Sequence, residues 1–365
     1  GADIAVAIAN ARIKLKLNEG QKALDTSVSR GGSSMQALKK EKEKELFHDS
    51  ETTKSSSRVV VMGGSVIDLV AKPAAGTSLI RSTSNPGSCH ESDGGVGRNI
   101  AEVLGRLGSR PILFSAVGED SRGLSLMERM ANEYGIDVDR QHIEVVRGSN
   151  TATYLAVLEE DGDLHTAIAD MGVLAKIKIP DEEILSDADF LVVDANAPVE
   201  SLVRAAQNAR WTATKVCFEP TSVPKAREIS KNDQFMSVVS YAFPNLDELS
   251  AMAGTASLEN DDDVMSAAKT VLKRMNPTEC HLIITMGARG VLLGSKFEMK
   301  PFQFKTFETS VISVMNCTGA GDTLAGAFIH ALLNGCSEEE AIKVGMEKAL
   351  LSLQCEDRAV SPNLL

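Results

Sequence analysis

Hydrophobic residues occur along most of this chain in short, closed packets. Residues 59–62, 112–116, 190–194, 216–219 and 282–286 are β-branched or apolar runs, of a length suited to strands buried on both faces. Between several of them apolar residues return at helical spacing, over 99–107, 121–134, 199–209, 261–275 and 322–334. Strands alternating with helices predict a mainly parallel sheet covered by helices, with ligands held at the carboxyl ends of the strands. Residues 151–159 and 164–169 differ: they are joined by Glu160, Asp161, Gly162 and Asp163 in the pattern of an antiparallel hairpin. A hairpin inserted into an α/β domain predicts a lid.

The first 57 residues break from this texture. Ile4, Ala5, Ile8 and Ala11 share one helical face, whereas Ile13, Leu15 and Leu17 alternate with Lys14 and Lys16, so the period is ambiguous. Residues 25–57 turn to Ser, Gly, Lys and Glu. Such a stretch buries too little apolar surface to offset its ordering entropy and reads as a flexible linker, interrupted by a short amphipathic helix around 35–47.

With 365 residues and 43% hydrophobic composition, the chain suffices for one large domain plus an appendage. Its 38 basic against 50 acidic side chains leave a net charge of −12, which argues against nucleic-acid or membrane partners but allows a local anion pocket. No apolar run approaches the roughly 18 residues that span a bilayer, and no secretory signal is visible, so the expected location is the cytoplasm. The six cysteines show no CxxC spacing and the six histidines are dispersed, so neither a zinc module nor a disulfide framework is expected.

The strongest chemical signal is the run 316–328. Gly319, Ala320 and Gly321 precede an amphipathic stretch, which puts free backbone N–H groups at a helix N-terminus suited to phosphate charge. Asp322 beside them is placed to take a proton from a hydroxyl attacking a γ-phosphoryl group, or simply to cap the helix. A second run, Asp93 to Asn99, holds Gly94, Gly95 and Gly97 without the G-x-G-x-x-G spacing and with no strand directly before it. Those glycines and the donor and acceptor of Asn99 suit sugar hydroxyls, or a tight turn feeding a packed helix. Asp68 is read as ending the first strand, where a carboxylate accepts vicinal hydroxyls or caps a turn. Asn245 and Glu248 lie one helical turn apart, either ordering magnesium-bound water or forming an ordinary exposed pair. Thr285, Gly287 and Gly290 follow an apolar strand and admit a nucleotide, or make a hairpin turn. No Walker-type phosphate loop and no protein-kinase motif set is present.

Taken in order, Asp68, the segment 94–99, Asn245 to Glu248, Thr285 to Gly290 and Thr318 to Asp322 resemble the PfkB or ribokinase family of sugar and nucleoside kinases, from about Arg58 to the C-terminus. The resemblance implies a three-layer α/β, ribokinase-like domain over 58–365, with a mainly parallel central sheet and a small β lid supplied partly by 151–169. It implies ATP and Mg2+ as cofactors and allows a monovalent cation and a homodimer. On these residues it implies Asp322 as catalytic base, with Gly319, Ala320 and Gly321 as anion hole. Asp68, Gly95 and Asn99 are then the sugar ligands. Asn245, Thr285, Gly287, Gly290 and Thr318 are the nucleotide ligands, and Glu248 holds magnesium through water.

Within the family, the runs 84–87, 169–171, 194–196 and 219–226 are similar to the pseudouridine-kinase branch, which implies phosphorylation of the 5′-hydroxyl of that nucleoside. Lys225 in the last run is expected to be a solvent-exposed structural lysine, the alternative being a phosphate contact. Residues 1–16 faintly resemble the C-terminal helix of pseudouridine-5′-phosphate glycosidases. Residues 1–24 are thus expected to be a remnant of a preceding glycosidase domain in a longer parent chain, and 25–57 its linker. Rival readings are another ribokinase-like sugar or nucleoside kinase and a catalytically silent nucleoside-binding module. A chain starting at Arg58 is expected to keep phosphotransfer nearly intact, because every motif lies later. Specific activity and unfolding midpoint, compared with the full chain, check this, and loss of both would move the domain boundary.

Overall fold

A computed structural model describes residues 58–139, 141–309, 317–355 and 358–364. The expectations for residues 1–57 lie outside these described residues. In chain order the strands are β1 (Arg58–Met62), β2 (Val66–Pro73), β3 (Gly87–Gly94), β4 (Ile112–Gly118), β5 (Ile143–Val146), β6 (Thr153–Leu158), β7 (Leu164–Asp170), β8 (Ala188–Asp194), β9 (Lys215–Glu219), β10 (Val239–Ala242), β11 (Glu279–Thr285), β12 (Val291–Phe297) and β13 (Gln303–Phe307). The helices are α1 (Val96–Arg106), α2 (Ser121–Asn132), α3 (Glu182–Ser186), α4 (Val199–Trp211), α5 (Val223–Ile229), α6 (Asp233–Met236), α7 (Leu246–Ala253), α8 (Asp261–Arg274), α9 (Ala320–Leu333) and α10 (Glu338–Leu353).

The apolar packets form a nine-stranded sheet in the order β13-β12-β11-β10-β9-β8-β1-β4-β5. Neighbours from β11 to β5 are parallel, and β12 and β13 are antiparallel. In β1 the two-residue period sends Val59 and Val61 into one core layer and Val60 and Met62 into the other. Leu202 of α4, Ala226 of α5, Leu249 of α7 and Val264 of α8 cover the second face. Ile100 of α1, Leu126 of α2, Phe328 of α9 and Ile342 of α10 cover the first. The expected three layers follow from strands that are apolar on both sides.

Strand β1 lies between β8 and β4, so the chain leaves it in one direction and later returns to build the sheet in the other. Such a reversal opens a crevice at the carboxyl ends of the strands. A second sheet, β3-β2-β6-β7, stands apart, and its β6–β7 pair is the expected hairpin. Every residue of β7 is exposed, as are Leu164 and Ile168 on it.

Two boundaries correct the sequence reading. Asp68 does not end the first strand: β1 stops at Met62, and Asp68 sits inside β2, opposite Ser92 of β3 and Tyr154 of β6. A strand does directly precede the glycine run, since β3 ends at Gly94. That strand, GSCHESDG, is exposed over its first five residues and almost wholly polar or small, so it carries no hydrophobic alternation from which to be read. Among the described residues no helix is long and apolar enough to cross a membrane.

Candidate active site

Strands β1 and β8 deliver the frame of the crevice. Beyond β1 the chain turns at Gly63 and Gly64, and β8 ends on the buried Asp194. Its Oδ2 accepts from the Gly64 N–H at 2.9 Å, the Gly97 N–H at 2.7 Å and the Asn196 Nδ2 at 2.8 Å, while Oδ1 accepts the Asn196 N–H at 2.9 Å. One carboxylate thus fastens the β1 turn to the start of α1. Gly95 caps that helix at φ +94°, and a Cβ there would stand 2.4 Å from the Gly64 carbonyl oxygen. Only glycine supplies this conformation and approach without strain, which is why α1 begins at Val96.

On the first turns of α1, Arg98 is fully buried and donates to the Gly94 carbonyl at 3.1 Å and the Asp93 carbonyl at 2.8 Å. It also pairs with Glu102 and donates to the Asn99 Oδ1. With that oxygen engaged, the Asn99 Nδ2 donates to the Asp322 Oδ2 at 2.7 Å. The aspartate sits in the first turn of α9, whose N-cap is Gly319 at φ +77°, with no side chain capping the helix. Asp322 is therefore not the cap. Gly319 has no side chain with which to cap the amides of the first turn, and a Cβ on Gly321 would meet nothing within 4 Å. This is a donor set and an opening that fit a phosphate.

Burial pushes the Asp322 carboxyl up to about 7, opposed by the Asn99 hydrogen bond and reinforced by the Asp194 and Glu248 carboxylates. Glu219, the last residue of β9, is raised well above its ordinary range by burial and then by Asp322 and Glu248, while it accepts the Thr221 N–H at 2.7 Å. Glu248 is also raised by burial. It is not an exposed pair with Asn245: the two form a capping box at α7, with Asn245 N–H to Glu248 Oε2 and Glu248 N–H to Asn245 Oδ1 both at 2.9 Å. This leaves one Glu248 oxygen outside the cap, in a field of acids that a divalent cation would offset.

Asp68 faces the same region from the lid sheet. Burial lifts its carboxyl to about 6, against the pull of Arg98. Gly94 lies directly beneath it, where a Cβ would be 2.0 Å from Oδ2. Asn245 bridges to Thr285 at the end of β11, and the Thr285 N–H bonds the Pro244 carbonyl at 3.0 Å. Gly287 opens to free space, whereas a Cβ on Gly290 would lie 2.0 Å from the Phe307 carbonyl oxygen, so the latter glycine serves the β11–β13 hairpins. Thr318 immediately precedes Gly319.

Lys225 is half-buried, not solvent-exposed. It donates to the Asn196 Oδ1, and burial lowers its pKa against the opposing pull of Asp194 and Glu219. Asp194 and Glu219 were not singled out as site residues by the sequence. Their readable signal is an acid closing an apolar strand, in Phe190 to Asp194 and Val216 to Glu219.

Residues 56–363 match the model of the pfkB family carbohydrate kinases. The pseudouridine kinase of Escherichia coli is 30% identical over 302 residues, covering 82% of this chain and 91% of that protein. A pseudouridine-metabolizing bifunctional protein of Schizosaccharomyces pombe is 26% identical, over 86% of this chain and 48% of its own length. The solved structure of Arabidopsis thaliana ribokinase with ribose and ATP superposes with a TM-score of 0.68 at 20% identity, covering 84% of this chain and 95% of that one.

Proposed function

The chain belongs to the pfkB family of carbohydrate kinases and is a phosphotransferase, and from that premise we propose that it moves the γ-phosphoryl group of ATP to the 5′-hydroxyl of pseudouridine. The observation that carries the phosphotransfer reading is Asp322, buried, oriented by Asn99 and seated in the uncapped first turn of α9. The substrate reading is supported by the named activity of the 30% identical relative.

In this reading Asp322 takes the hydroxyl proton as the oxygen attacks phosphorus. The leaving group is ADP. Backbone amides of Gly319, Ala320 and Gly321 stabilise the charge on the transferred group. Asp68, Gly95 and Asn99 hold the ribose, and Asn245, Thr285, Gly287 and Thr318 line the nucleotide side, with Gly290 shaping the turn that presents Gly287. Glu248 holds hydrated Mg2+, which when bound neutralises phosphate charge. The lid sheet closes over the sugar and excludes water.

The test is a panel of pseudouridine, uridine, adenosine, guanosine and ribose with ATP. The highest kcat/KM is expected for pseudouridine, with a 5′-monophosphate product. A higher value for ribose or a purine nucleoside would overturn the substrate, and binding without turnover would overturn the kinase assignment.

Two variants probe the sugar side. Asp68→Ala and Asn99→Ala should each weaken nucleoside binding by roughly 1–3 kcal/mol, the cost of a buried partner left unsatisfied. Because ionised Asp68 is the better acceptor and its carboxyl titrates at about 6, wild-type affinity should fall below that pH and be flat above it. Calorimetric titration with pseudouridine and its 2′-deoxy analogue checks both. Unchanged affinity in both variants would place the ribose elsewhere.

A further inference from the structure

At the other end of β11, four residues before Thr285 and so about 13 Å from the strand's carboxyl end, stands a second cluster of chemistry-bearing side chains. Glu279 and His281 point to the same face of β11, and Glu338 opens α10 beside them. Their donor atoms all lie within 4.8 Å of one another. The His281 Nε2 is 3.4 Å from the Glu279 Oε1 and 3.9 Å from the Glu338 Oε1. One N–H cannot serve both, and the second distance exceeds a hydrogen bond.

The imidazole is only 2% exposed and is held from two sides. Its Nδ1 meets the Ser295 Oγ at 3.0 Å across the β11–β12 pair, and Tyr241 of β10 stacks on the ring at 5.0 Å. The Tyr241 hydroxyl donates to the Glu338 Oε1 at 3.2 Å. Nδ1 engaged by an outer hydroxyl, with Nε2 aimed between two carboxylates, is the arrangement in which second-shell groups orient a metal-binding histidine. Donors around a tetrahedral ion at about 2.1 Å stand roughly 3.4 Å apart, so His281 and Glu279 already have ligating separation and Glu338, whose Oε1 is 3.9 Å from the imidazole, closes in by a side-chain adjustment. Beside it lies a cavity of about 310 Å3, bordered by Lys215, Tyr241, Thr278, Glu279 and His281, which leaves a fourth position open to water. Arg210 and Lys215 also border this cavity and offset carboxylate charge without offering a lone pair.

We propose that Glu279, His281 and Glu338 form a binding site for a zinc-class divalent transition metal, distinct from the kinase crevice, that ties β11 to the start of α10. One imidazole and two carboxylates suit such an ion, and the spacing of two and 57 residues explains why no metal motif is visible in the sequence.

Cobalt(II) titration of the chelator-stripped full chain, followed by visible absorption and zinc competition, tests it. One cobalt per chain is expected at this site, in addition to any held at Glu248. Its affinity should fall at least about tenfold in Glu338→Gln and His281→Gln, and stay unchanged in Glu248→Gln. Glu338 is partly exposed, so its variant keeps the test decisive if the buried His281 variant does not fold. Zinc should also raise the melting temperature of the wild type and not that of Glu338→Gln. The proposal is overturned by no cobalt absorption up to about 1 mM, by unchanged affinity in folded Glu338→Gln, or by loss of the site in Glu248→Gln.

Discussion

Asp322→Asn should lower kcat by roughly 10²–10⁴-fold, the loss typical of removing a general base, while nucleoside Kd and folding are retained. The new amide can turn its oxygen toward the Asn99 Nδ2, so the 2.7 Å contact has a substitute and the packing volume is nearly unchanged. What disappears is the only function an amide cannot imitate, proton acceptance. The pH profile gives an independent readout. With the Asp322 carboxyl at about 7, wild-type single-turnover rate should climb with pH through neutrality as the base ionises, being about tenfold lower one unit below it, and level off above. This limb should vanish in the variant.

Stability should move in the opposite sense. A carboxyl whose folded pKa is raised above its unfolded value binds more protons when folded, so its contribution is present below the unfolded value of 3.8 and is lost as pH rises through about 7. Asp322→Asn carries no such penalty and should therefore lose less stability than the wild type between acid and alkaline buffers. Thermal unfolding across pH, paired with single-turnover phosphotransfer, checks both. A folded variant with a near wild-type chemical rate would sink the mechanism.

Asp194→Ala should cost about 2–6 kcal/mol of unfolding free energy, because two buried amides, of Gly64 and Gly97, lose their acceptor at roughly 1–3 kcal/mol each. The damage should be structural before it is chemical: the turn after β1 and the start of α1 come apart, and Asn99 with them. Asp194→Asn, which keeps one acceptor oxygen, should recover part of the loss. Urea unfolding measures this as a lowered midpoint with an unchanged slope. Near wild-type stability in Asp194→Ala would mean that the loop finds other partners.

Much of the fold was legible because a strand buried on both faces must be apolar throughout, and that requirement is local: β1, β4, β8 and β9 lie where the packets lie. The glycine runs were legible for a related reason, since positive φ at Gly95 and Gly319 restricts the residue type on the spot. Strand β10 was not, being four residues long inside a mixed stretch, and neither were β2 and β3, whose polar residues pair only because the other strands of the lid sheet lie alongside. Helix α10 carried a readable signal in Ser337 and Glu340, a capping box written in sequence.

Among the candidate site residues, the sequence by itself determined residue type and order: an acid after a small-residue turn, an asparagine after glycines, an acid closing each of two apolar strands. Only the tertiary structure decided which of them meet. Asn99 and Asp322 bond across 223 positions, Asp194 clamps turns 130 and 97 positions away, and Asp68 faces the crevice from a strand of the lid sheet. Tertiary structure alone also decided their charge states. A carboxyl's pKa is set by how much water its surroundings exclude and which charges lie within a few ångströms, and both depend on segments far apart in the chain, which no local pattern of residues encodes.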